Sequence, residues 1–389
     1  MRPAPIRKLA GIILALTFAG GNVCAQSGHP EDVQRARAKG IKSRASRVYY
    51  TRKWDLSDLP AYQPEQQLSG TIRQWGSNYL ADSSLGTSWE EGFRKYHPGI
   101  KFDDNLTSTF IGMAGLYTKV ADLAPMGRRP SWEELMAYQR VFGHAPLEIT
   151  MATGSYDVAG WTFALGVFVN KQNPISQVTL KQLDGIFGAA RAGGWQATEW
   201  HPEAARTAKE NIRTWGQLGL TGEWKDKPIH VYGYNLNFHF PRDFAEKVFR
   251  GGYMWNEDLR EYANLAKPDG SELVSAGEQF MAALSKDPFG IAYTCILYML
   301  PQTKALALAT DESGPYVELN LENVRNRTYP LTREVYYYLN RESGKALDPK
   351  FREFMRYILS RDGQEAVMRD GKYLPLTAEV VREQLRKLE

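Results

Sequence analysis

The segment of sequence that decides the fold lies between residues 162 and 187. Residues 162–170 read TFALGVFVN, a nearly continuous apolar run, and residues 179–187 read TLKQLDGIF, a short helical pattern that begins with Thr179 as a capping residue. A run of this kind is typical of a strand buried on both faces in a parallel sheet. A buried strand followed by a capped helix predicts the strand-to-helix order of an α/β protein.

The same alternation continues on both sides of this segment. Strands are predicted at residues 70–75 and 100–105, and helices at residues 88–96, 111–119, 241–249 and 350–360. Ser88 is the predicted cap of the first of these helices, because Glu91 stands three residues later. Alternation over most of the chain predicts an α/β architecture with two lobes.

Length and charge narrow the class of protein. The chain has 389 residues, of which 43% are hydrophobic and 24% are charged, so it can form two or three compact units. Its net charge of +4 includes Arg2, Arg7 and Lys8 in a segment that we expect to be removed. Without them 45 basic residues face 44 acidic residues, and a nucleic-acid-binding protein should be more basic than that.

Residues 1–25 have the pattern of a secretory signal peptide. Three basic residues precede the 11-residue apolar run LAGIILALTFA, and Val23-Cys24-Ala25 offers a cleavage site before Gln26. The apolar run is too short to span a bilayer, although an uncleaved anchor is the alternative. We therefore expect an exported, periplasmic protein. Cleavage leaves Cys295 as the single cysteine, within an apolar run that predicts a buried structural thiol.

Residues 26–67 form a polar, basic leader. Eight Lys or Arg residues and no acidic residue occur between Val33 and Trp54. One interpretation is a surface that contacts anionic components of the cell envelope, and the other is a solvated helix or tail.

The common catalytic and cofactor signatures are absent from the sequence. It contains no phosphate-binding P-loop, no dinucleotide fingerprint, no zinc-protease motif and no serine nucleophile elbow. Its six histidines are dispersed without the spacing of metal ligands. We therefore expect a binding protein rather than an enzyme, with no cofactor and no metal.

Polar residues follow the first two predicted strands. Ser77 and Asn78 come after the first strand, and Ser108 and Thr109 come after the second. Ligands bind beyond the carboxyl ends of strands in open α/β sheets, where hydroxyl groups and helix amino-terminal amides suit an anion. The alternative is that these serines and threonines only cap helices.

The order of several segments resembles that of the phosphate-binding, PstS-like proteins within the periplasmic binding protein superfamily. The segments are GTIRQWGS at 70–77, ADLAPMGR at 121–128, NPIS at 173–176, TWG at 214–216, KPI at 227–229, GIAY at 290–293, YPLTR at 329–333, LSRDGQ at 359–364 and LPL at 374–376. Each motif is weak alone, but their collinear order across residues 68–377 is specific.

This resemblance implies a two-lobed periplasmic-binding-protein fold with hinge crossover strands. Lobe one would comprise residues 68–157 and 293–389, and lobe two residues 158–292. It also implies capture of phosphate or a related oxyanion in the cleft between the lobes for ABC import. The expected partners are that small anion and an ABC permease of the inner membrane, and the expected state is a monomer.

The resemblance also implies the residues of the binding site. In lobe one they are Ser77, Asn78, Ser108, Thr109, Gly127 and Arg128. In lobe two the family has an arginine and then Ser-Gly-Thr before a helix, whereas this chain has YGYNLNFHFP at residues 232–241 and lacks both. The candidate replacement donors are Tyr234, Asn235, Asn237 and His239, for phosphate or for a different or larger ligand. Alternatively, these residues only pack the lobe.

Two other functions remain open at this point. One is a non-transport envelope or secreted interaction protein that uses the leader as a docking arm. The other is an exported phosphatase on the same fold, for which Asp122, Asp157 and His239 are scattered candidates.

Overall fold

The computed structural model describes residues 30–267, 272–342 and 344–389. The strands, in chain order, are β1 (Ser69–Trp75), β2 (Gly99–Asn105), β3 (Leu123–Met126), β4 (Leu147–Thr153), β5 (Gly166–Asn170), β6 (Gln177–Thr179), β7 (Gly194–Gln196), β8 (Glu199–His201), β9 (His230–Tyr234), β10 (Arg260–Tyr262), β11 (Leu265–Ala266), β12 (Leu273–Val274), β13 (Gly290–Thr294), β14 (Thr303–Ala305), β15 (Ala307–Ala309) and β16 (Glu334–Leu339). The α-helices are α1 (Pro30–Ala45), α2 (Leu85–Tyr96), α3 (Gly112–Tyr117), α4 (Trp132–Phe142), α5 (Leu180–Phe187), α6 (His239–Val248), α7 (Ala276–Leu284), α8 (Leu321–Arg325), α9 (Pro349–Leu359), α10 (Arg361–Asp370) and α11 (Ala378–Arg386).

The first five-stranded sheet has the order β2-β1-β3-β16-β4. β1 pairs in parallel with β2 and β3, whereas β16 runs antiparallel to β3 and β4. The carboxyl ends of β1, β2 and β3 therefore lie at one edge of the sheet. This edge brings together the polar residues that follow the predicted strands.

The second five-stranded sheet has the order β10-β9-β13-β5-β14 and repeats the same mixture of pairings. The predicted strand at residues 162–170 is observed only from Gly166 to Asn170, all of it buried. It runs antiparallel to β13 and β14, so the prediction of a parallel environment was wrong. An apolar run indicates that a strand is buried on both faces. A central strand is buried in this way whether its neighbours are parallel or antiparallel, so the run does not predict their direction.

The two sheets and the helices on them form the two lobes of an α/β protein. The chain passes from the first sheet to the second after β4 and returns before β16. β13 and β14 both belong to the second sheet, although the predicted boundary gives residues 293–389 to lobe one. The boundaries of the lobes remain a prediction.

The basic leader is a folded part of the protein. Tyr50, Trp54 and Tyr62 are no more than 7% exposed and belong to the main hydrophobic core. The backbone amides of Tyr49 and Tyr50 donate to the Gly371 carbonyl at 3.0 and 2.8 Å. A solvated tail is therefore the wrong description of this half of the leader, because its dispersed aromatic residues bury apolar surface.

The other half of the leader forms α1, which packs against β11 and β12 of the second lobe. Ala36 on its inner face is 2% exposed. Arg44 donates to the carbonyl of Ala159, between the two sheets, at 3.1 Å. The N-terminal segment thus contacts both lobes.

The helix boundaries test the capping predictions. Thr179 caps α5 through a capping box with Gln182, as expected. α2 begins at Leu85, so the prediction of a cap at Ser88 was wrong. Leu85 is fully buried, and its packing extends the helix by a turn. The predicted signal peptide lies outside the described residues, and no helix within them has the length and hydropathy needed to span a membrane.

Candidate functional site

Three hydroxyl groups surround Gly127 at the carboxyl edge of the first sheet. A Cβ atom on Gly127 would lie 3.4 Å from Thr162 Oγ1, 3.6 Å from Ser77 Oγ and 3.7 Å from Thr109 Oγ1. The Thr162 hydroxyl donates to the Gly127 carbonyl at 3.1 Å. The structure thus brings together Ser77, Thr109 and Gly127, which sequence reasoning selected, and adds Thr162, which it missed.

Thr162 has an unusual backbone conformation. Its φ angle is +46°, in the left-handed region that costs a non-glycine residue about 1–3 kcal/mol. This strain places the Thr162 hydroxyl against β3 from the segment between β4 and β5. The sequence offers only the position of Thr162 at the start of the apolar run, which gave no sign of this conformation.

A fourth hydroxyl lies next to this group. Tyr373 is 1% exposed, and its hydroxyl lies beside the Thr162 side chain without a hydrogen bond of good geometry to any described residue. A buried hydroxyl without a partner costs about 1–3 kcal/mol. We call Ser77, Thr109, Thr162 and Tyr373 the hydroxyl cluster. Its arrangement fits a ligand with several hydrogen-bond acceptors.

The remaining predicted residues of lobe one have partners close to them. The Asn78 amide donates to the Asp82 carboxylate. The Ser108 hydroxyl accepts the Phe110 amide at 3.3 Å, which is the capping role weighed above. Neither side chain is placed with the hydroxyl cluster by these contacts.

Arg128 is buried, and its guanidinium pairs with Glu134, a residue of the same lobe. It is 3% exposed and donates to the two Glu134 oxygens at 2.7 and 3.0 Å. The Cζ atom of its guanidinium also lies 5.0 Å from the centre of the Phe110 ring. A bidentate pair of this kind fixes an arginine strongly. Arg128 therefore has its strongest hydrogen bonds already formed, and the Glu134 carboxylate offsets its charge.

Two of the predicted donors of lobe two are used within that lobe. The Tyr234 hydroxyl is hydrogen-bonded to Thr294 Oγ1 at 2.5 Å, and the Asn235 amide donates to Glu261 at 3.0 Å. Tyr234 is 3% exposed and belongs to the core. These contacts agree with the alternative that Tyr234 and Asn235 only pack the lobe. Asn237 is exposed on the same loop.

His239 begins α6, and its ring packs on that of Phe240 with ring centres 4.2 Å apart. Burial lowers its pKa well below the ordinary range, and the charges of Arg333, Arg128 and Arg37 act in the same direction. The imidazole is therefore neutral at physiological pH.

Arg333 is a further functional candidate. It ends the YPLTR motif at residues 329–333 but was not predicted as a site residue. It is 3% exposed, and its guanidinium lies 5.2 Å from the Phe240 ring centre and 5.8 Å from that of Phe163. Its Nη1 donates to the Phe163 carbonyl at 3.2 Å. Its Nε donates to Asp243 at 2.6 Å.

Charged groups of the two lobes meet beside this arginine. Arg129, after β3, pairs with Glu246 of α6 at 3.2 Å, and Lys247 of α6 donates to the Thr332 carbonyl. A cavity of about 20 Å³ between them is lined by four basic side chains, three carboxylates and Tyr336. We call this contact between α6 and the first lobe the seam.

The described residues contain no group of three or more His, Cys, Asp or Glu side chains placed to hold a metal ion. Cys295 is fully buried as predicted, and burial raises the pKa of its thiol to about 12. It is therefore protonated under ordinary conditions and is a poor nucleophile.

Comparison with known proteins gives similarities that cover most of the chain. The chain is 32% identical over 330 residues to the phosphate-binding protein PstS of Pseudomonas aeruginosa strain PAO1, covering 85% of this chain and 90% of that protein. It is 25% identical to the protein SphX of Synechococcus elongatus, over 74% of this chain and 73% of SphX. The crystal structure of PstS from Borrelia burgdorferi matches 79% of this chain and all of that chain, with 15% identity and a TM-score of 0.49. No protein-family model matches the sequence.

Proposed function

The chain belongs to the PstS-like family of phosphate-binding proteins, and we propose that it captures phosphate or a related oxyanion between its two lobes for an ABC importer. The observation that carries the proposal is the hydroxyl cluster around Gly127. A dehydrated oxyanion needs several convergent donors, and hydroxyl groups and arginines supply them.

The ligand would contact the first lobe through Ser77, Thr109, Thr162 and Tyr373. These four side chains come from the ends of β1 and β2, the segment before β5 and the segment after α10. The neutral His239 is the first residue of α6, and Arg333 pairs with Asp243 of the same helix. Asn78, Ser108, Gly127, Arg128, Tyr234, Asn235 and Asn237 remain predicted site residues, of which Gly127 is central because its small size leaves room for the hydroxyl groups.

Isothermal titration of the purified protein with inorganic phosphate and with sulfate tests this function. The informative variant is Thr162→Val, which keeps the shape of the side chain and removes the hydroxyl that donates to the Gly127 carbonyl in the ligand-free protein and would turn to the ligand. Loss of one such hydrogen bond weakens binding about tenfold. Thr118→Val is the matched control, because the Thr118 hydroxyl donates to Ala114 at the exposed end of α3.

Two results would contradict the proposal. One is an absence of heat of binding with either oxyanion in folded protein. The other is an equal loss of affinity in the Thr162 and Thr118 variants, which would locate binding away from the hydroxyl cluster.

The signal-peptide pattern and the family membership support a periplasmic setting. We propose that residues 1–25 direct export and are removed, so that the mature monomer works in the periplasm and delivers its ligand to an inner-membrane ABC permease. Fractionation with amino-terminal sequencing of the mature protein tests the cleavage after Ala25. Size-exclusion chromatography with light scattering tests the monomer.

The proposed role involves binding without turnover. The PstS relatives from Pseudomonas aeruginosa are phosphate-binding proteins. Incubation with p-nitrophenyl phosphate should release no p-nitrophenol above the background of a heat-denatured sample. Release that is lost in a Thr162 variant would instead indicate a phosphatase at this site.

A further inference from the structure

An ion pair between the lobes lies in the seam, whose cavity is lined by four basic side chains and three carboxylates. Asp243 stands on α6, which packs on the second lobe, and Arg333 stands just before β16 of the first sheet. They are 8% and 3% exposed, and Arg333 Nε donates to Asp243 Oδ2 at 2.6 Å. Arg333 Nη2 contacts the same oxygen. The carboxylate therefore neutralises an arginine that water hardly reaches.

The surroundings of Arg333 leave it few other partners for its charge. Phe163 and Phe240 stack on each other with ring centres 4.8 Å apart, and the guanidinium lies near both rings. Aromatic surfaces of this kind attract a cation weakly and exclude water. A buried guanidinium in such a place requires an anion, since an unpaired buried charge is strongly destabilising.

Arg333 also lies next to the hydroxyl cluster. Gly154 N–H donates to the Arg333 carbonyl at 2.8 Å. A Cβ atom on Gly154 would come within 2.6 Å of that carbonyl and within 2.1 Å of the Thr162 carbonyl, so both backbones enclose the same glycine. Burial raises the pKa of the Tyr373 hydroxyl, and the charge of Arg333 acts against this shift. An oxyanion bound by the hydroxyl cluster would therefore lie close to Arg333.

We propose that Asp243 is a resident anion of the cleft, which occupies Arg333 in the ligand-free protein and which an incoming oxyanion must displace. This inference rests on the proposed function and adds the residue that sets the affinity of the site. The lobe-two loop lacks the arginine and the Ser-Gly-Thr turn of the family pattern. Arg333 is a buried cation beside the hydroxyl cluster, and the buried Arg128 is already held by both oxygens of Glu134. Asp243 then weakens oxyanion binding in two ways: it shields the charge of Arg333, and its own negative charge repels the ligand.

The test is isothermal titration with inorganic phosphate of the wild-type protein, Asp243→Asn and Glu246→Gln. Glu246 is the matched control, because it lies on the same helix and the same seam but pairs with Arg129. The Asp243→Asn protein should bind phosphate about tenfold or more tightly than wild type, whereas Glu246→Gln should change the dissociation constant less than about threefold. Asp243→Ser serves in its place if the asparagine variant does not fold, as judged by circular dichroism.

An Asp243 variant that folds and binds phosphate no more tightly than wild type overturns the inference and leaves the proposed function standing. If neither protein binds phosphate, the proposed function fails, and a second measurement decides the inference. Phenylglyoxal labelling followed by mass spectrometry then compares Arg333 with Arg128, which stays paired with Glu134. Faster labelling of Arg333 in the variant alone supports the role of Asp243 as its resident anion, and unchanged labelling overturns it.

Discussion

Trp132, the first residue of α4, stacks on Trp195 of β7 with ring centres 5.4 Å apart and an angle of 13° between the planes. The two residues belong to different lobes, so this stack joins the lobes in addition to the ion pairs of the seam. Aromatic pairs contribute about 0.5–1.5 kcal/mol beyond the burial of their surface.

Replacing Trp132 by Ala should therefore loosen the contact between the lobes. We expect the exciton signal of the stacked indoles in the far-UV circular dichroism spectrum to disappear and the midpoint of thermal unfolding to fall. Trp200→Ala is the control, because Trp200 is 47% exposed and contacts Trp195 edge-on within lobe two. Equal spectral changes in the two variants would contradict the assignment of the signal to the pair between the lobes.

Replacing Tyr373 by Phe should weaken phosphate binding without lowering the stability of the fold. The Tyr373 hydroxyl is buried without a well-formed hydrogen bond to the described residues, so its removal should leave the free energy of unfolding unchanged or higher. Phosphate affinity should fall about tenfold, because the ligand loses a donor.

Tyr329→Phe is the counterpart of that variant. The Tyr329 hydroxyl donates to the Leu165 carbonyl at 3.1 Å in the core, so its loss should destabilise the fold by about 1 kcal/mol and leave phosphate affinity unchanged. Urea unfolding and isothermal titration of the two variants check both statements. A Tyr373→Phe protein that is less stable yet binds phosphate normally would place the hydroxyl outside the site.

Glu90 should make stability depend on pH. Burial and the neighbouring Asp104 carboxylate raise the pKa of Glu90 from its ordinary 4.5 to about 8. Between these values the folded protein holds a proton that the unfolded chain releases, so the contribution of Glu90 to stability falls as the pH rises.

Glu90→Gln should therefore unfold at a higher urea concentration than wild type at about pH 8, with a gain of at least about 1 kcal/mol, and should differ little at about pH 4. Glu91→Gln, at the exposed neighbouring position, is the control and should follow wild type at both values. Parallel stability curves for wild type and Glu90→Gln would show that Glu90 ionises normally in the folded protein.

Replacing Ala36 by Glu should detach α1 from the second lobe. Ala36 is 2% exposed, and a buried unpaired carboxylate at that contact is costly. Limited trypsin digestion should then cleave between Arg35 and Arg47 at a faster rate, while residues from Tyr49 onward stay protected by the core. Ala38→Glu, on the exposed face of α1, should digest as wild type does. Resistance of the Ala36 variant would show that α1 is held by other contacts.

Local patterns predicted the elements that local physics controls. The capping box of Thr179, the strand at β1 and the helices α6 and α9 were all found within two residues of their expected starts. The start of α2 was missed because the burial of Leu85, which depends on distant residues, outweighed the cap signal of Ser88. The leader was misread for the same reason, since Tyr50 and Trp54 find their core partners more than 300 positions along the chain.

The candidate site divides in the same way. Ser77 and Thr109 could be selected because each follows a predicted strand of the first sheet, and parallel strands bring their carboxyl ends to one edge. Gly127 was selected through the family resemblance. Thr162 and Tyr373 could not, because a strained backbone and a distant segment bring them to that edge. The family pattern directed attention to Tyr234 and Asn235, whose side chains the structure engages with Thr294 and Glu261.

The sequence by itself determined the α/β class, the family, the edge where the hydroxyl groups of lobe one gather and the loss of the family's lobe-two arginine. These properties follow from periodicity, capping and motif order, which act over a few residues or persist in collinear segments. Only the tertiary structure decided which charged groups of the two lobes meet. The pairing of Asp243 with Arg333 joins residues 90 positions apart, and its strength comes from burial that neither residue's neighbours in sequence reveal.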